Sequence, residues 1–290
     1  MIWIVLLTAF ICGSSSPATA QSDQPRLELW GGISGGTLAS KSTIVSNYSP
    51  PLLLDGDFTS RAGQTITAGT NWAAGFTAGV DLFPWRHAGV QVLVDRVRYE
   101  VAATSSSYDL TLEYTSVPPP ANQPQPVTID NARPWPDLTG SLTQLVLAVN
   151  AVARLGDPRR VAVAVAAGPT LMRISGTIEP LGYTTFHLGG HSVLFEDDYR
   201  VGASLATTAS LGVNAGAELS VAAAPHVALI VAARYMGGGA NVPLRIERVL
   251  NPADVTFTQS IHEVAAGMGS PSLHAELSGP RVFVGLKVMR

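Results

Sequence analysis

SLGVNAGAELSV, residues 210–221, alternates strictly between apolar side chains and small or polar ones. In a β-strand, successive side chains point to opposite faces, so this alternation gives the segment one apolar face and one polar face. The apolar face carries Leu211, Val213, Ala215, Ala217, Leu219 and Val221. One face suited to lipid and one suited to a polar interior are typical of a strand in a transmembrane β-barrel.

The same alternation recurs along the chain and predicts eight strands. They lie at roughly 26–35, 72–83, 88–104, 138–155, 161–174, 200–221, 227–237 and 280–289. We expect lipid contact at Val161, Val163, Val165, Leu211, Val213, Val284 and Leu286. The pattern therefore predicts an all-β fold, an eight-stranded antiparallel up-and-down transmembrane β-barrel.

Connections between the predicted strands are alternately long and short, as a membrane barrel with tight turns at one end requires. The short ones are 84–87, 156–159 and 222–226. The long ones are 36–71, 105–137, 175–199 and 238–279, which we expect outside the cell.

Two segments leave the strand prediction open. Residues 142–155 also fit a helical face, and strand is preferred because the segment pairs with 161–174 across a tight turn. In the third strand, the alternation that places apolar residues on the outward face also places Arg96 and Arg98 there. Either these arginines lie above the hydrocarbon or a β-bulge shifts the phase.

Composition supports a membrane protein without membrane helices. Only 13% of the residues are charged, 28 are glycine and the mean hydropathy is +0.24. The net charge of −3 argues against nucleic acid as a partner. After the first twenty residues no run of 18 apolar residues occurs, which leaves the closed barrel as the spanning structure.

Residues 1–20 have the features of a signal peptide, with an apolar stretch followed by the cleavage site Ala18-Thr19-Ala20. The expected mature domain is 21–290. The alternatives are an uncleaved anchor and a lipid-modified Cys12, the only cysteine of the chain. Because Cys12 lies within the signal, the mature protein is expected to lack disulfides.

These features together resemble the small eight-stranded outer-membrane barrels of the OmpA transmembrane-domain and OmpX type. The opening Leu29-Trp30-Gly31-Gly32 and the ending at 282–288 are similar to theirs, whereas Met289-Arg290 replaces their usual terminal aromatic residue. The resemblance implies localisation in the cell outer membrane. The implied partners are outer-membrane lipid, lipopolysaccharide, the barrel-assembly machinery and an unidentified extracellular ligand.

Chemistry-bearing residues point to no catalytic, cofactor-binding or metal site. His187 and His191 are spaced four apart, but Gly189-Gly190 makes a helix doubtful, so two solvated loop histidines are the preferred interpretation.

An interfacial aromatic belt is expected from Trp72, Phe83, Trp85, Tyr199 and Tyr235.

Charges fall mostly on the predicted interior face, where we expect them to pair: Glu28, Asp81, Asp95 and Glu218 with Arg154, Arg234 and Lys287.

The expected function is a structural or surface-interaction barrel without enzymatic activity. The alternatives are a narrow porin-like channel, a membrane-embedded lipid hydrolase and a soluble periplasmic barrel.

Overall fold

The computed structural model describes residues 26–37, 42–50, 58–116, 125–133, 135–189 and 192–289, so the expected signal peptide at 1–20 lies outside the described residues. The strands are β1 (Arg26–Gly36), β2 (Ser42–Tyr48), β3 (Phe58–Thr70), β4 (Ala73–Phe83), β5 (Ala88–Ser116), β6 (Gln125–Arg133), β7 (Thr139–Asp157), β8 (Val161–Gly189), β9 (Ser192–Ala224), β10 (Val227–Val249), β11 (Ser272–Glu276) and β12 (Gly279–Met289). A 3-10 turn (Pro252–Asp254) and one short helix, α1 (Ile261–Gly267), lie between β10 and β11. Within these ranges no helix is long and apolar enough to cross a membrane.

Eight of the strands form a closed antiparallel ring in the order β1, β4, β5, β7, β8, β9, β10 and β12, with β12 pairing back onto β1. Closure pairs the eight strands of the ring on both sides below residue 179 of β8, so this part of the ring has no free sheet edge. The tight turns at 84–87, 158–160 and 225–226 all lie at one end. The predicted eight-stranded up-and-down barrel is confirmed.

The ambiguous segment 142–155 is a strand. It belongs to β7, whose buried and exposed residues alternate along its length, and it pairs with β8 from Asp157 to Thr139. Tertiary pairing with a partner of matching alternation therefore prevails over the helical periodicity that the same residues also satisfy.

The long connections differ from the prediction, because strands rather than loops make up much of 36–71, 105–137, 175–199 and 238–279. Strands β5, β8, β9 and β10 continue far beyond the predicted limits, while β2, β3, β6 and β11 add to them. These segments form the upper half of the barrel: β2, β3, β6 and β11 together with 97–116, 174–189, 192–208 and 237–249. The lower half is the remainder of the ring, on the side of the tight turns.

The outward face of the lower half is apolar. On β8 it is apolar from Val161 to Leu171. These ten residue steps span about 33 Å along the strand and about 25 Å along the barrel axis at a tilt of about 40°. All seven residues expected to contact lipid are exposed on this outward face, from Val163 at 46% to Leu211 at 79%. The predicted phase of the alternation is confirmed.

Both faces of the wall exchange polarity at one level, which is clearest at residues 94–97 of β5. Val94 is outward and apolar, Asp95 inward and charged, Arg96 outward and charged, and Val97 inward and apolar. The register of β5 with β4 and β7 shows no shift here. The first alternative for Arg96 and Arg98 is therefore correct: they lie beyond the apolar band, and no bulge intervenes.

The interior of the upper half is a packed apolar core that resembles the core of a water-soluble protein. Its largest fully buried side chains include Tyr108, Tyr183, Tyr199, Ile44, Ile66, Leu112, Ile174 and Leu181. Because the inward residues are apolar and the outward ones polar, water is the solvent that suits this half.

The expected aromatic belt is only partly correct. Trp72, Trp85 and Tyr235 are exposed on the outer surface of the barrel. Phe83 and Tyr199 instead point inward and are 2% and 1% exposed. Their positions follow from the alternation, since Phe83 is two residues from the inward Asp81 and therefore shares its face.

Candidate functional site

The lower half encloses a cluster of buried charges centred on Lys287. Its ammonium group lies 2.9 Å from the Asp81 carboxylate and 3.5 Å from that of Glu28, and it also contacts Glu218. Arg154 pairs with Glu28 from another side. These pairings confirm the expectation that the interior charges compensate one another.

Two interior cations hold positions that the sequence did not anticipate. Arg234 lies 5.7 Å from the centre of the Trp30 ring, so an aromatic face takes the place of the expected carboxylate partner. Arg281, absent from the predicted set, lies 3.5 Å from Asp95 and also donates to Gln144. Arg281 is separated from the inward residues Phe283 and Lys287 by even numbers of positions, and this spacing was the signal that it also points inward.

A chain of amide hydrogen bonds extends the charged cluster along the wall. Gln91 donates to Asp81 at 2.8 Å, Asn150 donates to Gln91 at 3.0 Å, and Asn214 donates to Asn150 at 2.7 Å. Trp30 also donates its indole N–H to Asp81 at 2.9 Å. The Asp81 carboxylate of β4 therefore bonds directly to residues of three other strands, β1, β5 and β12.

These contacts cross the full width of the lumen. In the ring order β4 and β9 are diametrically opposite, and Lys287 of β12 touches Asp81 of β4 and Glu218 of β9 together. Strands β12 and β7 are likewise opposite, and Arg281 bonds to Gln144 between them. Side chains thus fill the lumen of the lower half at two levels, as the narrow bore of an eight-stranded barrel allows.

The open end of the upper half is covered by the segment 250–271, which contains α1. Helix α1 begins with a capping box between Ser260 and Glu263 and buries Val264 in the upper core, while Met268 just after it is also buried. A Cβ atom at Gly267 would overlap the hydroxyl of Tyr183, so the helix approaches this ring closely because residue 267 is glycine. Burial, followed by the neighbouring Tyr199, raises the pKa of Tyr183 to about 12, which keeps this phenol protonated.

Asp197 anchors the covering segment to the barrel wall. Its carboxylate accepts hydrogen bonds from the backbone N–H groups of Thr256 at 2.7 Å and Phe257 at 3.0 Å. His187, on the paired strand, lies 3.1 Å from the same carboxylate and stacks on the Phe257 ring with centroids 4.5 Å apart. Burial alone would raise the pKa of Asp197. The two N–H donors and His187 have the opposite and larger effect, so the pKa lies below its ordinary value.

The expectation of solvated loop histidines is wrong for His187, which is 5% exposed on β8. The strand continues through this residue, so its side chain points inward with the alternation. His191 lies outside the described residues. Among the residues that are described, no group of three or more histidine, aspartate, glutamate or cysteine side chains has the geometry of a metal site.

A cleft of about 340 Å³ opens on the outer surface beside this anchor. Trp135 and Arg200 line it together with the carboxylates of Glu196, Asp198 and Asp254. Asp198 also accepts a hydrogen bond from Thr184 at 2.6 Å, and Thr184 in turn hydrogen-bonds to the buried Tyr108 of the upper core. The cleft therefore presents polar groups on a firmly packed wall.

Several solved outer-membrane proteins align with most of this chain at low sequence identity. OprG from Pseudomonas aeruginosa aligns over 91% of this chain and 95% of its own, with 9% identity and a TM-score of 0.46. The outer-membrane protease OmpT from Escherichia coli aligns over 95% and 100%, with 10% identity and a TM-score of 0.37. Ail, the attachment invasion locus protein of Yersinia pestis, aligns over 90% and 99%, with 9% identity and a TM-score of 0.32. No protein-family model and no curated protein matches the sequence.

Proposed function

We propose that the protein resides in the bacterial outer membrane and holds a rigid upper half at the cell surface, where that half makes structural or adhesive contacts. The observation that carries this proposal is the exchange of polarity at residues 94–97. A wall that is apolar outside below this level and polar outside above it fits lipid around one half and water around the other.

A scaffold role without catalysis is favoured over a channel by the filled lumen. The contacts of Lys287 and Arg281 across the barrel occupy the space through which a solute would pass. Opening a pore would separate these charges in a low-dielectric interior, which is costly. The upper half adds a second barrier, because its interior is packed with apolar side chains beneath the segment 250–271.

The proposed partners follow from this placement. Outer-membrane lipid, including lipopolysaccharide, surrounds the apolar band, and the barrel-assembly machinery inserts the chain after export by the signal peptide at 1–20. An extracellular ligand would meet the upper half, where the cleft at Trp135 and Arg200 and the exposed ring of Phe257 are accessible.

Fractionation of cells that express the full chain tests the proposal. We expect the protein in the outer-membrane fraction, with an electrophoretic mobility that changes on heating. Recovery in the soluble periplasmic fraction would instead support the soluble-barrel alternative. Purified protein in planar bilayers should give no single-channel conductance steps, and it should release no fatty acid from phospholipid vesicles. A reproducible conductance or hydrolytic activity would contradict the scaffold role.

A further inference from the structure

Three arginines form a cluster on the outward face of adjacent strands. Arg96 of β5 pairs with Leu145 of β7, and Leu145 pairs in turn with Arg173 of β8. All three side chains are exposed, so Arg96 and Arg173 flank Leu145 with Cα atoms about 10 Å apart, two strand spacings. Arg98 lies on the next outward position of β5, opposite Thr143.

The arginine cluster (Arg96, Arg98 and Arg173) is not neutralised by the protein itself. In the part of the chain that the structure describes, no carboxylate forms an ion pair with any of the three. The exposed Arg248, in contrast, pairs with Glu179 at 2.5 Å. Three guanidinium groups on one small surface repel one another, so their positive potential is available to an anion from outside.

The arginine cluster lies where the apolar band ends. Val94 precedes Arg96 on the outward face of β5, and Leu171 precedes Arg173 on that of β8. The exposed ring of Phe76 is paired with Arg96 on the other side. On the proposed orientation this level is the headgroup layer of the outer leaflet, which is only some 5–7 Å thick.

A polar groove of about 580 Å³ continues upward from the arginine cluster. Arg98 belongs to both, and the groove is further lined by Asn71, Glu100, Thr139, Ser141 and Thr177. The hydroxyl and amide groups of these residues and the Glu100 carboxylate, which accepts hydrogen bonds, can bond to sugar hydroxyls. Guanidinium groups bind phosphate with paired N–H donors. The two surfaces together match a headgroup in which phosphate is attached to a sugar.

We propose that the arginine cluster and the groove above it bind the phosphorylated sugar headgroup of an outer-leaflet glycolipid. The proposal rests on the outer-membrane placement proposed above. The phosphates lie against Arg96, Arg98 and Arg173, the acyl chains lie along the apolar band below, and the sugar occupies the groove. Such a site holds one face of the barrel, that of β5, β7 and β8, against a defined lipid.

Binding of purified lipopolysaccharide to the detergent-solubilised full chain tests this inference. The triple variant Arg96→Gln, Arg98→Gln, Arg173→Gln should bind at least about tenfold more weakly than the wild type, because each basic residue at a membrane surface contributes to anion attraction. The matched control is Arg61→Gln, Arg245→Gln, Arg248→Gln, which removes the same charge from scattered exposed positions of the upper half. This control should bind within about twofold of the wild type, since its arginines lie outside the cluster.

Two further arms identify the ligand. Dephosphorylated lipopolysaccharide should bind the wild type as weakly as intact lipopolysaccharide binds the triple variant, and inorganic phosphate at equal concentration should not displace the lipid. Equal binding by the triple variant and the wild type would overturn the site. Displacement by inorganic phosphate would overturn the lipid as its source.

Folding and location are controlled separately. Heat-modifiable mobility reports whether each variant forms the barrel, and the triple variant with lysine at the same positions serves if the glutamine variant does not fold. The lysine variant should bind more weakly than the wild type, because lysine lacks the forked donors of arginine. Equal binding by the lysine variant and the wild type would overturn the site. Failure of the fractionation experiment would refute the outer-membrane proposal without changing these binding results, which use purified protein.

Discussion

The ammonium group of Lys287 lies 2.9 Å from the Asp81 carboxylate in the middle of the lumen, where two further carboxylates, those of Glu28 and Glu218, also contact it. One lysine thus compensates acids from three strands of the ring. Removal of a single partner from a buried ionic group leaves uncompensated charge, which is more costly than replacement of the whole group.

We therefore expect Lys287→Met to destabilise the folded barrel by about 3–5 kcal/mol. Urea unfolding in lipid vesicles, followed by the heat-modifiable band, measures the change. The double variant Lys287→Met, Glu218→Gln serves as the control and should recover part of the loss, because it removes one of the unpaired carboxylates. If Lys287→Met were as stable as the wild type, Lys287 would not compensate the charges of the three acids.

The phase of the alternation gives a second prediction at adjacent residues of β8. Val163→Arg places a charge on the outward apolar face, at a cost of about 2–4 kcal/mol near the bilayer midplane. Ala164→Ser places a hydroxyl in the interior, opposite Arg154 on one side and Glu218 on the other, where it finds polar partners. The yield of folded barrel in vesicles should fall for the first variant only, and equal yields would mean that the phase is reversed.

Asp197 should control attachment of the segment 250–271. Asp197→Ala removes the acceptor of two backbone N–H groups, so the amides of Thr256 and Phe257 should exchange with deuterium about tenfold faster or more. Asp254→Ala, an exposed acid on the same segment, is the control and should leave exchange unchanged. Unaltered exchange in the Asp197 variant would show that packing of α1 alone retains the segment.

The same anchor should depend on pH. The pKa of Asp197 is lower in the folded protein than its ordinary value, so its stabilising contribution is complete above about pH 4, near the pKa of a free aspartate. That contribution is lost as the pH falls through the lower, folded-state pKa. The protection of the Thr256 amide, taken relative to the intrinsic exchange rate at each pH, should accordingly fall only in strong acid. A fall in protection between pH 5 and 7 would assign the effect to another group.

Deletions within 105–137 should not behave as deletions in a surface loop. Deletion of 105–137 would be tolerated if this segment were the long connection that the sequence predicts, but Tyr108, Leu110 and Leu112 are buried in the upper core. That deletion should leave a folded lower half whose damaged upper half binds an apolar dye such as ANS. Replacement of 117–124 by a two-residue turn between the paired Ser116 and Gln125 should cost little, because each doubling of loop length changes the closure free energy by only about 0.6 kcal/mol.

Protease added to intact cells provides the test of orientation. It should cut within the upper half and spare the tight turns at 84–87 and 158–160, which the proposal assigns to the periplasmic side. Cleavage at these turns in intact cells would invert the orientation. The outer-membrane location itself is tested by fractionation.

The sequence predicted the lower half well because its two faces differ strongly in polarity. Apolar side chains outside and charged or polar ones inside produce a strong contrast between alternate residues, so Leu211 and Glu218 could be assigned to faces without a structure. The count of eight ring strands followed from this contrast together with the tight turns.

The upper half was missed because its pattern is that of an ordinary soluble sheet. Its outward residues are polar and its strands contain proline and glycine, as at Pro180 and Gly182, so hydropathy falls and the segments resemble loops. The pairing of His187 with Asp197 was also beyond prediction, since it depends on the register of two strands that were not recognised. Continued alternation beyond residue 174 was the available signal.

The exchange of polarity at residues 94–97 also divides the barrel thermodynamically. Unfolding of the upper half transfers apolar side chains such as Ile44 and Leu181 into water, which raises the heat capacity. On the proposed placement, the outward side chains of the lower half are already in lipid or detergent, so their exposure contributes much less to the heat capacity. The upper half therefore dominates the temperature dependence of stability, and cooling should weaken the upper half more than the lower half.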